Sequence, residues 1–250
     1  MILEAKDVKK YFIIERGAFK KESGIVRAVD GVSFGVGEFK TTGIVGESGS
    51  GKTTLAKIIL KLIPPTSGEV IFNREIIKDF TKDVQIIFQN PYNSLNPKMR
   101  ILDLITEPLL VHRMARGASL KDRATELLQM VGLQANVLSR YPIEFSGGQR
   151  QRICIARALA SEPKLIVLDE PISSLDLTIQ WSILELFLKL KEKFKLTYIF
   201  ISHNLAVIKH AADSVMVMKN GRLIEQGACE SIFNRPKDSY TKQLLEAARA

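Results

Sequence analysis

Gly46-Glu47-Ser48-Gly49-Ser50-Gly51-Lys52-Thr53 follows the short apolar run Thr42 to Val45 and opens a helical pattern that begins near Lys52. These residues fit G-x-x-x-x-G-K-[ST] in the strand-loop-helix context that the pattern demands. The glycines let successive backbone N–H groups turn inward around phosphate oxygens, and the helix N-terminus adds positive potential. Lys52 can then reach the β- and γ-phosphates of a nucleotide, and Thr53 is placed to ligate Mg²⁺. Glu47, Ser48, Ser50 and Thr54 complete the stretch expected to line the nucleotide. A phosphate loop of this kind needs a second acid for the metal. The apolar run Leu165 to Leu168 ends in Asp169-Glu170, where two carboxylates emerge at the carboxyl end of a strand. Asp169 suits the Mg²⁺ shell, and Glu170 suits the general base that polarises the attacking water. A third element, Ser146-Gly147-Gly148-Gln149-Arg150, precedes a helical run, so Ser146 reads as an N-cap whose exposed amides form a second anion site.

Around these motifs the chain alternates β-type and helical patterns. Strands are expected at Ile2 to Ala5, Val26 to Phe34, Gly43 to Val45, Glu69 to Phe72, Val84 to Phe88, Leu165 to Leu168, Tyr198 to Ile201 and Val215 to Met218. Several lack alternation, as strands covered on both faces of a parallel sheet do. Residues 91 to 161 carry almost no β-branched runs and read as helices over Ile101 to Val111, Leu120 to Val131 and Gln149 to Ala160, followed by another over Ile179 to Lys193. The expectation is an α/β fold with a mostly parallel sheet. Its single domain has a core made of 1–90 and 162–250 and a helical insertion at 91–161.

Composition excludes several classes. Hydrophobic residues at 46%, charged residues at 25% and aromatics at 7% are those of a folded globular chain, not a disordered one. Cys154 and Cys229 have no Cys or His neighbours at metal-ligand spacing, which argues against zinc and against a disulfide framework. Glu4, Lys6, Asp7, Lys9 and Lys10 stand where a signal peptide needs an apolar core, so the expected location is cytoplasmic. No apolar run reaches the roughly 18 to 20 residues of a membrane-spanning helix. The net charge of +9 fits a solvated basic surface, an anionic membrane leaflet or nucleic acid.

Phe145-Ser146-Gly147-Gly148-Gln149 resembles the L-S-G-G-Q signature of the ATP-binding-cassette family, with Phe replacing Leu at an apolar position. That family's remaining elements fall in order: Gln89 in Phe88-Gln89-Asn90-Pro91, Ser174-Leu175-Asp176 after the acidic pair, and His203 in Ile201-Ser202-His203. The resemblance implies a P-loop ATPase with an N-terminal antiparallel β subdomain, whose cassettes pair head to tail as a homo- or heterodimer. Ser146, Gly147, Gly148 and Gln149 of one cassette then close on the ATP in the phosphate loop of the other. Gln89 is implied to sense Mg²⁺ and the water, His203 to hold the γ-phosphate, and Asp176 to lie at the dimer seam. An aromatic ring near the N-terminus, Phe12 or Tyr11, is implied to stack on adenine. Asn204 departs from the family, which frequently has Asp there.

The interval between Gln89 and Ser146 has room for a compact helical insertion only, unlike cassettes of chromosome-bound relatives. The patterns Asn90-Pro91-Tyr92-Asn93-Ser94-Leu95-Asn96-Pro97, Glu144 to Arg152, and Arg235-Pro236-Lys237-Asp238-Ser239-Tyr240-Thr241 resemble the peptide and nickel importer branch. They imply an ATPase peripheral on the cytoplasmic face of the membrane, which energises peptide uptake through separate permease subunits served by a solute-binding protein. A nickel or other small-solute importer of the same branch is the alternative. A soluble ATPase working on nucleic acid is the distant one, and no nucleic acid partner is expected.

Overall fold

The computed structural model describes residues 1–16, 22–90 and 94–247. Pro91, Tyr92 and Asn93 of the importer-branch pattern lie outside the described residues. In chain order the first elements are β1 (Leu3–Arg16), β2 (Glu22–Val36), β3 (Thr41–Val45), α1 (Lys52–Ile59), β4 (Ser67–Phe72), α2 (Phe80–Asp83) and β5 (Val84–Ile87). Next come α3 (Ile101–Val111), α4 (Ser119–Met130), α5 (Gly147–Ala160), β6 (Leu165–Asp169) and α6 (Leu177–Phe194). The last are β7 (Thr197–Ile201), α7 (Leu205–Ala211), β8 (Ser214–Lys219), β9 (Arg222–Ala228), α8 (Cys229–Asn234) and α9 (Ser239–Ala247). The chain divides into two compact units, one of Met1–Ile76 with Thr197–Ala250 and one of Ile77–Leu196.

In the first unit β3 lies between β7 and β8, parallel to both, and β9 adds antiparallel to β8. Every residue of β3 and β7 is buried. Strands covered on both faces dispense with alternation, which is why Tyr198 to Ile201 is uniformly apolar. A separate antiparallel sheet has the order β2-β1-β4. Its first strand runs to Arg16, far past the expected Ile2 to Ala5. Among the described residues only Leu3, Ala5 and Val8 of the strand, with Ile2 just before it, are buried hydrophobics. Beyond them, pairing with β2 rather than burial holds the strand, through register shifts that include the positive-φ Asp7. β9 also escaped the periodicity because it is largely exposed or half-buried. Its signal was the dipeptide Asn220-Gly221, whose φ values of 48 and 79 make the two-residue hairpin loop that joins β8 to β9.

In the second unit β5 and β6 pair in parallel, and β6 is buried along its whole length. Helices α3, α4 and α5 lie where helices were expected, α4 and α5 with slightly earlier starts. Leu104, Ile105 and Leu109 of α3, Leu127 and Leu128 of α4, and Ile153, Ile155 and Ala156 of α5 are all buried. Helix α6 buries Ile183, Leu184, Phe187 and Leu190 as one stripe.

Candidate functional site

The phosphate loop leaves the carboxyl end of buried β3 and closes into α1. Gly51 has φ 103, and a Cβ there would stand 2.1 Å from the Ala28 carbonyl oxygen, so both conformation and packing require glycine. Gly49 differs: its φ is 78, but a Cβ would meet nothing within 4 Å. Among the described residues no side chain caps α1 and no acid occupies its first turn. Asp79 caps α2, Ser146 caps α5 and Asn204 caps α7, whereas α3, α4, α6 and α8 share the uncapped start of α1. An uncapped N-terminus turns backbone N–H groups and positive potential toward an anion. Buried Lys52 donates from Nζ to the Gly46 and Glu47 carbonyls, each at 2.8 Å, and to Ser50 Oγ at 3.4 Å. Its ammonium is thereby folded back over the loop it would serve. The loop is also backed from outside the motif, since Gly221 N–H donates to the Ser50 carbonyl at 3.0 Å and the Gly221 carbonyl accepts from Asp30 N–H at 2.8 Å. Sequence reading missed this support, although Asn220-Gly221 marked its turn.

His203 belongs to the same unit. It is exposed just beyond β7, the strand beside β3, so loop and histidine leave the carboxyl ends of neighbouring parallel strands. Asn204 fills the N-cap of α7, accepting from Ala206 N–H at 3.0 Å and Val207 N–H at 3.4 Å. Asn and Asp cap equally well, so the departure from the family costs this turn nothing. Tyr11 and Phe12 are consecutive in β1 and point to opposite faces. The Tyr11 hydroxyl donates to Asp30 Oδ1 at 2.5 Å, and Arg27 lies over its ring at 5.6 Å. Phe12 is 41% exposed, with Lys10 Nζ 5.3 Å from its ring centroid.

In the second unit, buried Asp169 ends β6 and Glu170 follows with φ 48. A non-glycine residue held left-handed carries local strain that the surroundings must fix. Ser173 does so here, donating to the Glu170 carbonyl from N–H at 3.3 Å and from Oγ at 3.1 Å. The Glu170 carboxylate is thereby aimed at Gln89, whose Nε2 donates to its Oε2 at 3.3 Å, while Ser174 Oγ donates to the Gln89 carbonyl at 3.4 Å. The structure therefore brings Gln89, Glu170 and Ser174 together.

Ser146 begins α5 with a reciprocal cap: its Oγ accepts from Gln149 N–H at 3.3 Å, and Gln149 Oε1 accepts from Ser146 N–H at 3.1 Å. The helix consequently starts at Gly147, two residues earlier than the expected Gln149. A Cβ on Gly148 would stand 2.7 Å from Ile179 Cγ2, and one on Gly147 would stand 3.2 Å from Leu175 Cδ2. The two glycines thus let the first turn of α5 lie against the segment containing Asp176, which is the N-cap of α6. Arg150, buried, holds the preceding turn by donating to the Pro142 carbonyl at 2.7 Å and the Ile143 carbonyl at 3.0 Å.

A buried parallel strand, a glycine-rich loop with its lysine, and an uncapped helix define a P-loop nucleotide-binding fold. Comparison with known proteins narrows the class. Residues 29–173 match the family model described as ABC transporter. The chain is 44% identical to the oligopeptide transport ATP-binding protein AppF of Bacillus subtilis (strain 168), an alignment spanning 98% of this chain and 78% of AppF. It is 41% identical to the dipeptide transport ATP-binding protein DppF of Escherichia coli (strain K12), over 98% of this chain and 76% of DppF. The dimeric structure of the ATP-binding cassette MJ0796 bound to ADP and Pi superposes with a TM-score of 0.75 at 30% identity, covering 91% of this chain and 99% of that one. The chain belongs to the ABC transporter family and is an ATP-binding ATPase of that family. No helix among the described residues is long and apolar enough to cross a membrane.

Proposed function

We propose that this chain is the ATP-hydrolysing subunit of an importer that energises peptide uptake through separate membrane subunits, acting from the cytoplasmic face. The observation that carries the reading is identity of 41 to 45% with oligopeptide and dipeptide transport ATP-binding proteins, over nearly the whole chain. The loop fits a triphosphate because its helix end is uncapped, space opens at Gly49, and the Lys52 ammonium rests on the loop's own carbonyls.

In this reading the Gly46–Thr54 backbone and Lys52 bind the phosphates, and the exposed Phe12 ring takes the adenine because Tyr11 is engaged by Asp30. Among the described residues no group of three or more His, Cys, Asp or Glu side chains could hold a metal by itself. Mg²⁺ keeps water and phosphate oxygens and takes few protein ligands, and Thr53, Asp169 and Gln89 are the residues that would hold it. Bound there, the ion would neutralise phosphate charge. Glu170, fixed in direction by Gln89, orients the attacking water and accepts its proton, and His203 holds the γ-phosphate. Ser146 to Gln149 serve the ATP of a second cassette, with Asp176 at the seam. A groove of about 350 Å³ beside β5, lined by Ile87, Phe88, Pro108, Cys154 and Arg157, supports contact of the helical region with a permease. Gln89 follows Phe88, a lining residue of the groove, so the groove and the residue that faces Glu170 are adjacent in sequence.

The test is Glu170→Gln. It should retain ATP, lose turnover by a factor on the order of 10² to 10⁴ as expected for removal of a general base, and double in mass by light scattering at saturating ATP. Wild-type turnover equal to that of the variant would refute the catalytic assignment. Co-purification with permease and solute-binding subunits, followed by identification of a bound solute other than a peptide, would refute the substrate class.

A further inference from the structure

The segment Arg235 to Thr241 marks a family branch in sequence, but the hydrolytic machinery does not account for it. In the structure Tyr240 is buried, at 5% exposure, and its hydroxyl accepts a hydrogen bond from Glu47 N–H at 3.3 Å. That N–H and the Gly46 carbonyl belong to one peptide group, and the same carbonyl accepts from Lys52 Nζ at 2.8 Å. One peptide plane of the phosphate loop is therefore clamped at both ends, by the lysine inside and by the phenol outside.

Tyr240 is itself held. Lys219 Nζ lies 4.1 Å from the centre of its ring. Its backbone N–H donates to Asp238 Oδ1 at 2.7 Å, and the Glu225 carboxylate on β9 accepts from Lys237 N–H at 2.9 Å and Asp238 N–H at 3.1 Å. Lys219 also precedes the Asn220-Gly221 turn that donates to Ser50, so both flanks of the loop are tied to one neighbourhood. Burial pushes the Tyr240 phenol above its ordinary value, and the group is a neutral hydroxyl at physiological pH.

We propose that Tyr240 is a positioning residue for nucleotide binding: its hydroxyl sets the Gly46–Glu47 peptide plane, and with it the place from which Lys52 is delivered to the phosphates. The proposal rests on the reading of Gly46 to Thr53 as the ATP site. A preset loop loses less freedom when the nucleotide arrives, so the contribution falls on affinity and not on the chemical step.

Tyr240→Phe keeps the ring under Lys219 and removes only the hydroxyl. Titration with a fluorescent ATP analogue should show binding weakened roughly threefold to tenfold, the range expected for one lost hydrogen bond. KM for ATP should rise by the same factor with kcat unchanged, and the melting temperature should stay near that of the wild type. Tyr240→Leu, which also loses the ring, should weaken binding further. Unchanged affinity and KM in Tyr240→Phe, or a fall in kcat with KM unchanged, would overturn the proposal. Failure of the wild type itself to bind the analogue would instead overturn the ATP-site reading and remove the ground on which this proposal stands.

Discussion

Gly49 and Gly51 stand two residues apart in the same loop, and alanine at the two positions should have opposite signatures. At Gly49 a Cβ meets nothing within 4 Å, so the folded state bears only the left-handed backbone at φ 78. That costs roughly 1 to 2 kcal/mol for a residue with a Cβ. For a chain of this size each kcal/mol lowers the melting temperature by about 2 to 4 °C. Gly51→Ala bears a comparable backbone strain at φ 103 and also drives a methyl to 2.1 Å from the Ala28 carbonyl, against an ordinary contact of 3.4 to 4 Å. Ala28 lies in β2, whose pairing with β1 resists displacement, so overpacking of roughly 1 to 3 kcal/mol adds to strain of similar size. The drop in melting temperature should be at least twice that of Gly49→Ala. Nucleotide affinity should fall in both, but in Gly49→Ala out of proportion to stability. A methyl in the open space that phosphate is to occupy costs several charge-assisted N–H bonds, and roughly a tenfold or greater loss follows. Calorimetric melting and titration with an ATP analogue, on both variants, make the comparison. Gly49→Ala binding as tightly as the wild type would refute the assignment of that space to phosphate, and Gly51→Ala melting with the wild type would refute the close approach to β2.

Burial pushes the Cys154 thiol up to about 12, so at neutral pH it is not a thiolate and should resist alkylation by iodoacetamide until the protein is unfolded, as followed by mass spectrometry. Gln151 is fully buried, and neither amide atom has a hydrogen-bond partner among the described residues. Gln151→Met should therefore raise stability by roughly 1 kcal/mol through removal of unsatisfied polar atoms, and a lower melting temperature would contradict this. At Glu225 burial pushes the carboxyl up, but the Lys237 and Asp238 N–H donors outweigh it and leave the group below its ordinary 4.5. A depressed folded-state value means that its contribution is present above the ordinary carboxylate range and lost as pH falls through the folded value. Amides of α9 should accordingly exchange faster on acidification, after correction for the intrinsic rate, and Glu225→Gln should flatten that dependence.

The chemistry-bearing turns were legible because each combines a residue type with a backbone demand. A glycine at φ 103 before Lys52, a carboxylate after an unbroken apolar strand, and a serine three residues before a glutamine leave local marks in sequence. The buried strands were legible for the same reason, since burial on both faces writes Leu165 to Leu168 as a continuous apolar run. β1 beyond Ala5 and β9 were not, because hydrogen bonding to the adjacent strand, and not burial, holds them, and their side chains are free to be polar. Lys9, Lys10 and Glu225 satisfy a ladder as well as valine would where no core covers them.

Long-range support of the loop is hidden by the same physics. The bond from Glu47 to Tyr240 joins residues 193 positions apart and uses one hydroxyl, which no periodicity encodes. A tyrosine at the head of a C-terminal helix has an ordinary explanation as core, and Tyr240 is indeed buried; only the direction of its hydroxyl separates packing from positioning. The phosphate loop itself offers the complementary case. Lys52 identifies the loop from sequence, yet its ammonium rests on the Gly46 and Glu47 carbonyls, and binding must exchange those oxygens for phosphate. How readily that exchange happens depends on how firmly the Gly46–Glu47 peptide is held from behind. Affinity for nucleotide is thus set partly by residues of the C-terminal segment that carry none of the chemistry.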